Sequence, residues 1–321
     1  MAEKRIIIDT DPGIDDALAI LLALASPELE VEALTVVHGN CNVDQGVRNA
    51  LSVLELAGRA DIPVVRGAAL PLVKPLLLAP ETHGQGGIGY AHMPEPAAAA
   101  VPGHAAHLLI DSLLSSPGEI SLVAVGPLTN IALAIRMEPR IVPAINELII
   151  MGGAVRHGGN TTPLAEFNTY CDPHAAHIVF HAGIPLKLVP LDVTYQVLLT
   201  AADVQGLLQT GSPIASFIEQ ATRFYMEFHG AHQKIEGCII NDPLALALSF
   251  LPELVQTEAL YVDVDISGGV SMGKTFADFY NISGQPANMQ VALQVQARRF
   301  IELFLERMES LCSLQPGGGE A

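Results

Sequence analysis

Residues 6–18 read IIIDTDPGIDDAL, and this stretch carries most of the information about the fold and the chemistry. The three isoleucines predict a buried strand, and the apolar spacing after the turn predicts a helix. Asp9, Asp11, Asp15 and Asp16 therefore lie on one strand end, one turn and one helix start. The positive end of the helix offsets part of their mutual repulsion. A hard divalent cation offsets more, and Ca²⁺ accepts six to eight oxygen ligands, so the stretch predicts a cation site.

Short apolar runs alternate with longer helical patterns along the rest of the chain. The strand candidates are residues 5–9, 31–37, 63–66, 121–125, 147–151 and 185–189. The helix candidates are residues 15–24, 43–57, 105–115, 130–136, 173–181 and 243–250. Continuous apolar strands separated by helices are typical of a buried parallel sheet. We therefore predict the α/β class, with an open, mostly parallel, Rossmann-like sheet and helices on both faces.

Two segments interrupt this alternation. Residues 71–102 are rich in Pro, Gly and Ala, and residues 210–241 carry clustered aromatic and histidine side chains. We predict that both are insertions or mobile loops. The sequence PGGGEA at residues 316–321 predicts a disordered tail after a single domain that spans residues 1–315.

The composition excludes several functional classes. Half of the 321 residues are apolar and 16% are charged, which excludes a disordered chain. The formal charge of −18 repels phosphate backbones and anionic lipid, so we expect no nucleic-acid and no membrane partner. No apolar run reaches the ~20 residues of a membrane span, and the first residues lack the features of a signal peptide. The four cysteines form no paired motif, and we expect a cytoplasmic protein.

Polar residues and glycines collect where the predicted strands end. Residues 38–40 follow the second strand, Thr129 and Asn130 the fourth, and Asp192 the sixth. Ligands of open α/β sheets bind outside the carboxyl ends of the strands, so we expect the chemistry at this edge. An Asp-x-Asp pair after the first strand also fits a phosphatase with an aspartate nucleophile, but the sequence shows no lysine-based phosphate site.

Eight motifs in register point to one family. They are DTDPGIDDALAI (9–20), HGN (38–40), THG (82–84), VGPLTNIA (125–132), MGGA (151–154), N-x5-E-x-N (160–168), NTYCDP (168–173) and NDPLA (241–245). With them the chain resembles the inosine-uridine preferring nucleoside hydrolases from about residue 4 to residue 310. The resemblance implies hydrolysis of the N-glycosidic bond of ribonucleosides to ribose and free base. It also implies a homodimer or homotetramer.

The resemblance further implies the site residues. The Ca²⁺ ligands would be Asp11, Asp16, Asp242 and the backbone carbonyl of Val125, and Asp11 would be the general base that activates water. The remaining positions matched to the family would contact the nucleoside, and they are Asp15, Asn40, Met151, Asn160, Glu166, Asn168 and Asn241. Carboxylates and amide oxygens of this kind stabilise the positive charge that develops on the ribose.

The chain departs from the family pattern at the leaving base. Many members have a histidine before the last metal-binding aspartate, where this chain has Asn241, and an amide cannot supply a proton. His83, in the THG motif, is the alternative catalytic residue for leaving-group activation, and Tyr225, His229 and His232 are weaker candidates. The base preference is predicted to be for pyrimidines or broad. A purine-specific branch of the family stacks the base between tryptophans, and this chain has none; Phe167, Phe228 or Tyr225 could stack on the base instead.

Several alternatives stay open at this stage. His174, His177 and His181 share one face of a predicted helix, either as a flank facing solvent or a subunit neighbour, or as a metal site. The sequence GxGxxG at residues 84–89 follows no strand, and we interpret its glycines as a loop hinge. The alternative functions are hydrolysis of a modified N-riboside, a metal-dependent phosphohydrolase, and a catalytically weak nucleoside-binding protein.

Overall fold

The computed structural model describes residues 3–314. An eight-stranded sheet forms its centre, in the order β3-β2-β1-β4-β5-β6-β12-β9. All neighbouring strands are parallel except β12 and β9. The strands of this sheet are β1 (Lys4–Thr10), β2 (Leu29–Val36), β3 (Val64–Arg66), β4 (Ser121–Ala124), β5 (Leu148–Met151), β6 (Leu186–Val189), β9 (Val255–Leu260) and β12 (Met289–Val295).

Two short antiparallel pairs lie outside the central sheet, and helices connect the strands. The pairs are β7 (Leu198–Leu199) with β8 (Cys238–Ile239), and β10 (Val262–Val264) with β11 (Thr275–Ala277). The helices are α1 (Ile14–Leu24), α2 (Val43–Leu56), α3 (Pro80–His83), α4 (Ala105–Ser115), α5 (Thr129–Met137), α6 (Phe167–Cys171), α7 (Pro173–Phe180), α8 (Leu191–Thr194), α9 (Ala201–Leu208), α10 (Pro213–Gln233), α11 (Asn241–Ala247) and α12 (Ala297–Leu314).

The sheet is buried on both faces, as its apolar strands predict. Successive side chains of a strand point to opposite faces, and on β1 this separates Ile6 and Ile8 from Ile7. Ile6 and Ile8 belong to a core that includes α1, α2, α10, α11 and α12. Ile7 belongs to a second core with α4, α5 and α7. The predicted α/β class, with helices on both faces of a mostly parallel sheet, is confirmed.

The prediction of a mobile loop at residues 210–241 is wrong for most of that segment. Pro213–Gln233 forms α10, the longest helix among residues 3–314. Ser212 caps it by accepting a hydrogen bond from the backbone N–H of Ile214. Its buried positions, among them Ile218, Tyr225 and His229, recur at helical spacing. Phe217, Tyr225 and His229 therefore lie on the packed face of a helix, whereas His232 is exposed.

The other irregular segment agrees better with its prediction. Residues 71–102 contain only the four-residue helix α3 and otherwise follow the surface without regular structure. The predicted tail at residues 316–321 lies outside the described residues. Among residues 3–314, no helix combines the length and the apolar character needed to cross a bilayer.

The strand order reverses between β1 and β4, which are neighbours although they are far apart in sequence. Such a switch point opens a crevice at the carboxyl ends of the strands. The Asp11 turn follows β1, and Val125 and Gly126 follow β4. The topology therefore brings the acidic stretch and the fourth strand end to one place.

Candidate active site

A cavity of about 220 Å³ opens at this carboxyl edge. Its lining combines strand-end residues with side chains of α3, α6, α10 and α11. The lining residues are Asp15, Asn40, Leu77, Leu78, Ala79, Glu81, Thr82, His83, Val125, Met151, Asn160, Thr161, Glu166, Phe167, Asn168, Tyr195, Tyr225, Phe228, His229, Gln233, Asn241 and Asp242. Asp11 and Asp16 are fully buried beside it. The cavity thus brings the predicted site residues together within one region, apart from the weaker candidate His232.

The Asp11 carboxylate fits between two stretches of bare backbone. Its Oδ2 accepts a hydrogen bond of 2.7 Å from the backbone N–H of Asn40. Its Oδ1 is buried without a hydrogen-bond partner among the described residues. A Cβ on Gly39 would stand 1.9 Å from Oδ2, and one on Gly126 would stand 2.6 Å from Oδ1. Only glycine leaves room for the carboxylate at these two positions, and one oxygen stays free for a ligand.

The Asp16 carboxylate is held by four donors. Oδ1 accepts from the Thr10 hydroxyl and from the backbone N–H of Asp11 at 3.1 Å. Oδ2 accepts from the backbone N–H of Gly13 at 2.9 Å and from Nδ2 of Asn40 at 2.8 Å. These bonds fix the Asp-x-Asp turn against the start of α1. They also show that Asn40 supports two carboxylates, Asp11 through its backbone and Asp16 through its side chain.

Three carboxylates converge on one point at the cavity floor. Asp15, Asp16 and Asp242 each offer an oxygen within 4.8 Å of the others. Asp15 Oδ2 accepts a 3.0 Å hydrogen bond from Nδ2 of Asn241 and a longer one, 3.4 Å, from the Tyr225 hydroxyl. The Asp242 side chain accepts no hydrogen bond from residues 3–314. Its carboxylate, which lines the cavity, is therefore free to bind a ligand.

The buried negative charge at the cavity floor would be stabilised by a cation. Burial raises the pKa of Asp11 and Asp242 well above the ordinary value, and neighbouring carboxylates raise both pKa values further. Burial also raises the pKa of Asp15 and Asp16. The cavity lining includes no lysine or arginine. Because a free oxygen on Asp11 and an unbonded Asp242 carboxylate remain, the residues fit a hard, oxygen-coordinated divalent cation.

Amide and carboxylate groups form the wall beside the fourth and fifth strands. Asn168 donates through Nδ2 to the carbonyls of Val125 at 2.9 Å and Met151 at 3.3 Å. Glu166 accepts from the backbone N–H groups of Asn168 at 2.8 Å and Gly153 at 2.9 Å, so its carboxylate caps α6. Burial nevertheless raises the pKa of Glu166. This wall is held rigidly by backbone contacts.

Asn160 has a looser place on the same wall. Its Oδ1 accepts a 2.9 Å hydrogen bond from the backbone N–H of Phe167, and the residue is exposed at the cavity mouth. Its Nδ2 keeps both hydrogens available for a ligand. Asn160 therefore lies at the rim, whereas Asn168 lies deep in the cavity.

The opposite wall comes from α3 and α10. His83 Nδ1 accepts a 3.1 Å hydrogen bond from the backbone N–H of Ile14, so its Nε2 carries the hydrogen. Burial lowers the pKa of His83 to about 4. The Tyr225 ring lies between two histidines, with ring centroids 5.4 Å from His83 and 4.4 Å from His229. His229 donates through Nδ1 to the Tyr225 carbonyl at 2.8 Å, which leaves its Nε2 as an acceptor.

Some lining residues were not predicted from the sequence. Tyr195 follows α8, and Gln233 ends α10. Tyr195 comes three residues after Asp192, at a predicted strand end, and this position could have indicated it. Nothing in the sequence around Gln233 distinguishes it from a surface residue. The candidate His232 does not line the cavity.

A parallel sheet with an acidic, oxygen-lined cavity at its switch point defines an α/β enzyme that acts on a small polar molecule. A sequence model of the inosine-uridine preferring nucleoside hydrolases matches residues 6–302, and the chain belongs to this family. It is a ribonucleoside hydrolase.

Individual relatives agree with this assignment. The pyrimidine-specific ribonucleoside hydrolases RihA of Salmonella gallinarum and Salmonella typhimurium are each 40% identical over 305 residues, which cover 95% of this chain and 98% of theirs. A purine-preferring ribonucleoside hydrolase from Gardnerella vaginalis has a similar structure, with a TM-score of 0.92, 34% identity and coverage of 97% of this chain and 100% of that one. A plant nucleoside hydrolase gives a TM-score of 0.91 at 35% identity, over 96% of this chain and 100% of that one.

Proposed function

We propose that this enzyme hydrolyses pyrimidine ribonucleosides to ribose and free base in a Ca²⁺-dependent reaction. The observation that carries the proposal is the group of buried carboxylates at the cavity floor, with one oxygen of Asp11 left without a partner. All available ligand atoms are oxygens, which is the set that Ca²⁺ prefers.

Four residues would hold the cation. Asp16 and Asp242 converge at the floor. Asp11, whose Oδ1 has no hydrogen-bond partner among residues 3–314, interacts electrostatically with both of them. The carbonyl of Val125 accepts one hydrogen bond from Asn168 and keeps a second lone pair. When bound, Ca²⁺ supplies the positive charge that keeps these carboxylates ionised and acidifies a nearby water.

Asp11 is the proposed general base. Its Oδ2 is anchored by Asn40, so Oδ1 is the oxygen that takes a proton from the attacking water. The glycines on either side hold the carboxylate in one orientation. The water attacks the anomeric carbon of the ribose, and no covalent sugar–enzyme intermediate forms.

The sugar is the part of the substrate that the rigid wall would hold. Asp15 and the amide groups of Asn40, Asn160 and Asn168 would bind ribose hydroxyls, and Met151 would pack against the ring. Carboxylates at the floor, with Glu166 behind them, stabilise the positive charge on the ribose in the transition state. A substrate that lacks a hydroxyl would leave these buried groups unpaired.

His83 is the proposed partner of the leaving base. Because Ile14 fixes Nδ1 as the acceptor, Nε2–H donates a hydrogen bond as a neutral imidazole. Asn241 donates to Asp15 and so positions this carboxylate. The pyrimidine preference is supported by the 40% identity to relatives named pyrimidine-specific, against 34% for the purine-preferring relative. The lack of tryptophan in the chain agrees with this preference.

The alternatives differ in what they release. A metal-dependent phosphohydrolase needs cationic side chains for the phosphate, and the cavity lining has no lysine or arginine. A hydrolase of a modified riboside would turn over none of the common nucleosides. A nucleoside-binding protein would be stabilised against heat by a nucleoside without turnover.

The test is ribose release from uridine, cytidine, inosine, adenosine and guanosine, with a calcium chelator, with Ca²⁺ restored and with Mg²⁺ restored. We expect release from uridine and cytidine, loss with the chelator, and recovery with Ca²⁺. Full recovery with Mg²⁺ alone would contradict the metal assignment, and faster release from inosine would contradict the base preference. Silence on all five nucleosides would overturn the proposed substrate.

Two further proposals concern the whole molecule. We propose that the chain is a single domain, because β1 and β12 come from opposite ends of the sequence and lie in one sheet. We also propose that it assembles as a homodimer or homotetramer. A single thermal transition and sedimentation at one oligomeric mass test the two proposals.

A further inference from the structure

A second group of potential ligands lies away from the cavity. His177 on α7, His181 directly after it, and Asp263 on β10 each place a ligand atom within 4.8 Å of the others. None of the three lines the active-site cavity. The two histidines are four residues apart and share one side of the helix, with ring centroids 4.4 Å apart. Asp263 faces them from the neighbouring hairpin.

Each oxygen of the Asp263 carboxylate lies near one of the two histidine rings. Oδ1 lies 2.9 Å from His177 Nδ1, and Oδ2 lies 3.7 Å from His181 Nε2. Ligand atoms around a tetrahedral zinc ion stand about 3.3 Å apart, because each lies about 2.0 Å from the metal. The two His–Asp separations bracket this value, and the ligand atoms of the two histidines lie within 4.8 Å of one another. Opening the His177–Asp263 hydrogen bond with small side-chain movements would enclose an ion.

The hydrogen bonds of His181 prepare its ring as a ligand. Nδ1 lies 2.8 Å from the backbone carbonyl of His177, and since a carbonyl only accepts, Nδ1 carries the hydrogen. When the ring is neutral, Nε2 has a lone pair that faces a carboxylate oxygen of Asp263, and a cation between the two atoms would be bound by both. Ligating histidines in metal sites typically donate their other N–H to a backbone carbonyl in this way.

Neighbouring groups complete the surroundings. The Tyr261 hydroxyl lies 3.3 Å from His181 Nε2 and 3.4 Å from Asp263 Oδ2. It can therefore donate a hydrogen bond to the carboxylate with or without a bound ion. Asp263 Oδ1 also accepts a 2.7 Å hydrogen bond from the backbone N–H of Val264. The histidines are partly exposed, which gives an ion a path from solvent and room for a water as a further ligand.

We propose that His177, His181 and Asp263 form a binding site for a divalent transition-metal ion of the zinc type. Two imidazole nitrogens and one carboxylate are a ligand set that suits Zn²⁺ and Co²⁺ and differs from the all-oxygen set at the cavity floor. The bound ion ties the end of α7 to β10. The adjacent strand β11 carries Thr275, whose hydroxyl contacts the backbone of Ala154 in the loop after β5. The ion therefore stabilises the hairpin that supports this loop.

The test compares variants of the full-length protein with Ca²⁺ present throughout, so that hard-ligand sites are occupied. Zn²⁺ is titrated against a competing indicator into the wild type, His181→Gln and Asp263→Asn. The matched control is His232→Gln, because His232 Nδ1 also contacts a carbonyl four residues earlier, at 3.1 Å, but lies near no second histidine and carboxylate of this kind. We expect one Zn²⁺ fewer, or affinity at least ~10-fold weaker, in His181→Gln and Asp263→Asn only.

Two further measurements distinguish loss of metal binding at this site from a general structural effect of the substitution. Co²⁺ bound to nitrogen ligands absorbs visible light, and we expect a band in the wild type and in His232→Gln that is absent from His181→Gln. Zn²⁺ should raise the Tm of the wild type and leave that of His181→Gln unchanged. Equal Zn²⁺ affinity and stoichiometry in the wild type and His181→Gln would overturn the proposal. So would an equal loss in His232→Gln. Neither result depends on the nucleoside hydrolysed.

Discussion

The two walls of the cavity are built in different ways. The floor and the wall proposed to hold the sugar combine strand ends, turns and helix starts, where Asp11, Asp16 and Glu166 accept hydrogen bonds from backbone N–H groups. The wall proposed to face the base consists of side chains from α3 and α10, where His83 and Tyr225 contact one another through their rings. One half is fixed by the backbone, and the other depends on how two helices pack.

We propose that this difference separates reaction chemistry from base selection. A carboxylate held by backbone donors keeps its position when nearby side chains change. A wall made of helix side chains can change by substitution without disturbing the floor. Relatives named pyrimidine-specific and purine-preferring share this fold, as expected if base preference varies on the helix side alone. Substitutions on the floor should therefore affect all nucleosides equally, and those on the helix side should affect them unequally.

The largest effect is expected from Asp11→Asn. An amide cannot accept the proton of the attacking water, so kcat should fall at least ~1,000-fold, to a similar degree for uridine, cytidine and inosine. The measurement is ribose release, with circular dichroism to verify the fold. Asp44→Asn, which removes an exposed carboxylate paired with Arg66, is the control and should retain full activity. A loss confined to one base would contradict the division between the walls.

Removing a sugar hydroxyl should have the next largest effect. With 2′-deoxyuridine, buried polar groups of the floor and of Asn168 would be left unpaired, so kcat/KM should be at least ~100-fold lower than with uridine. Cytidine, which changes only the base, serves as the comparison and should stay within about 10-fold of uridine. Comparable kcat/KM values for uridine and deoxyuridine would contradict the proposal that this wall binds the sugar.

His83→Leu tests the proposed base side directly, because leucine fills part of the space of the ring and has no N–H donor. We expect kcat for uridine to fall about 10- to 100-fold through loss of the Nε2–H donor. A riboside with 4-nitrophenol as leaving group needs no such donor and should be affected much less. Because burial lowers the pKa of His83 to about 4, the ring is neutral above that pH. The ratio of wild-type to variant kcat should therefore be constant from pH 5.5 to pH 8.

The sign of this pH dependence distinguishes two roles. A histidine acting as a charged acid would lose its proton as the pH rises, so the advantage of the wild type would shrink towards pH 8. A neutral donor keeps its advantage over the whole interval. A ratio that declines steadily with pH would show that the ring is protonated in the complex and would contradict the role proposed for it.

Tyr225→Phe should give the smallest effect. The substitution removes a hydroxyl that is 3.4 Å from Asp15 Oδ2, a long and weak hydrogen bond, and keeps the ring packed between His83 and His229. We expect kcat to change less than ~5-fold and the ratio of uridine to inosine turnover to shift. Phe228→Leu, on the same helix and also in the lining, is the comparison for packing alone. A large loss of kcat that is equal for all nucleosides would instead show that Tyr225 acts in the reaction chemistry assigned to the floor.

The backbone-held half was predictable from the sequence because it is encoded locally. The stretch at residues 6–18 contains the strand, the turn and the helix start that position Asp11 and Asp16. The apolar runs near the site identify the strands there. The observed ends of β1, β2, β4, β5 and β6 lie within two residues of the predicted ends.

The helix-held half was less predictable because distant segments build it. Tyr225 reaches Asp15 across 210 positions of sequence, and no local pattern records that contact. Strand β9 was also not predicted, because it is an edge strand with exposed residues between Val255 and Leu260 and lacks the apolar run of a buried strand. Clustered histidines made α10 resemble a loop, although its apolar positions recur at helical spacing.

The convergence of Asp15, Asp16 and Asp242 has a consequence for the order of synthesis. Asn241, next to the last of these carboxylates, and Asp15 are 226 positions apart. A nascent chain can assemble the first four strands in spatial contact long before it contains Asp242. Until that residue leaves the ribosome, the floor has only the carboxylates of the first turn and helix. The acidic cluster is therefore complete only after residue 242 has been synthesised, long after its first two members.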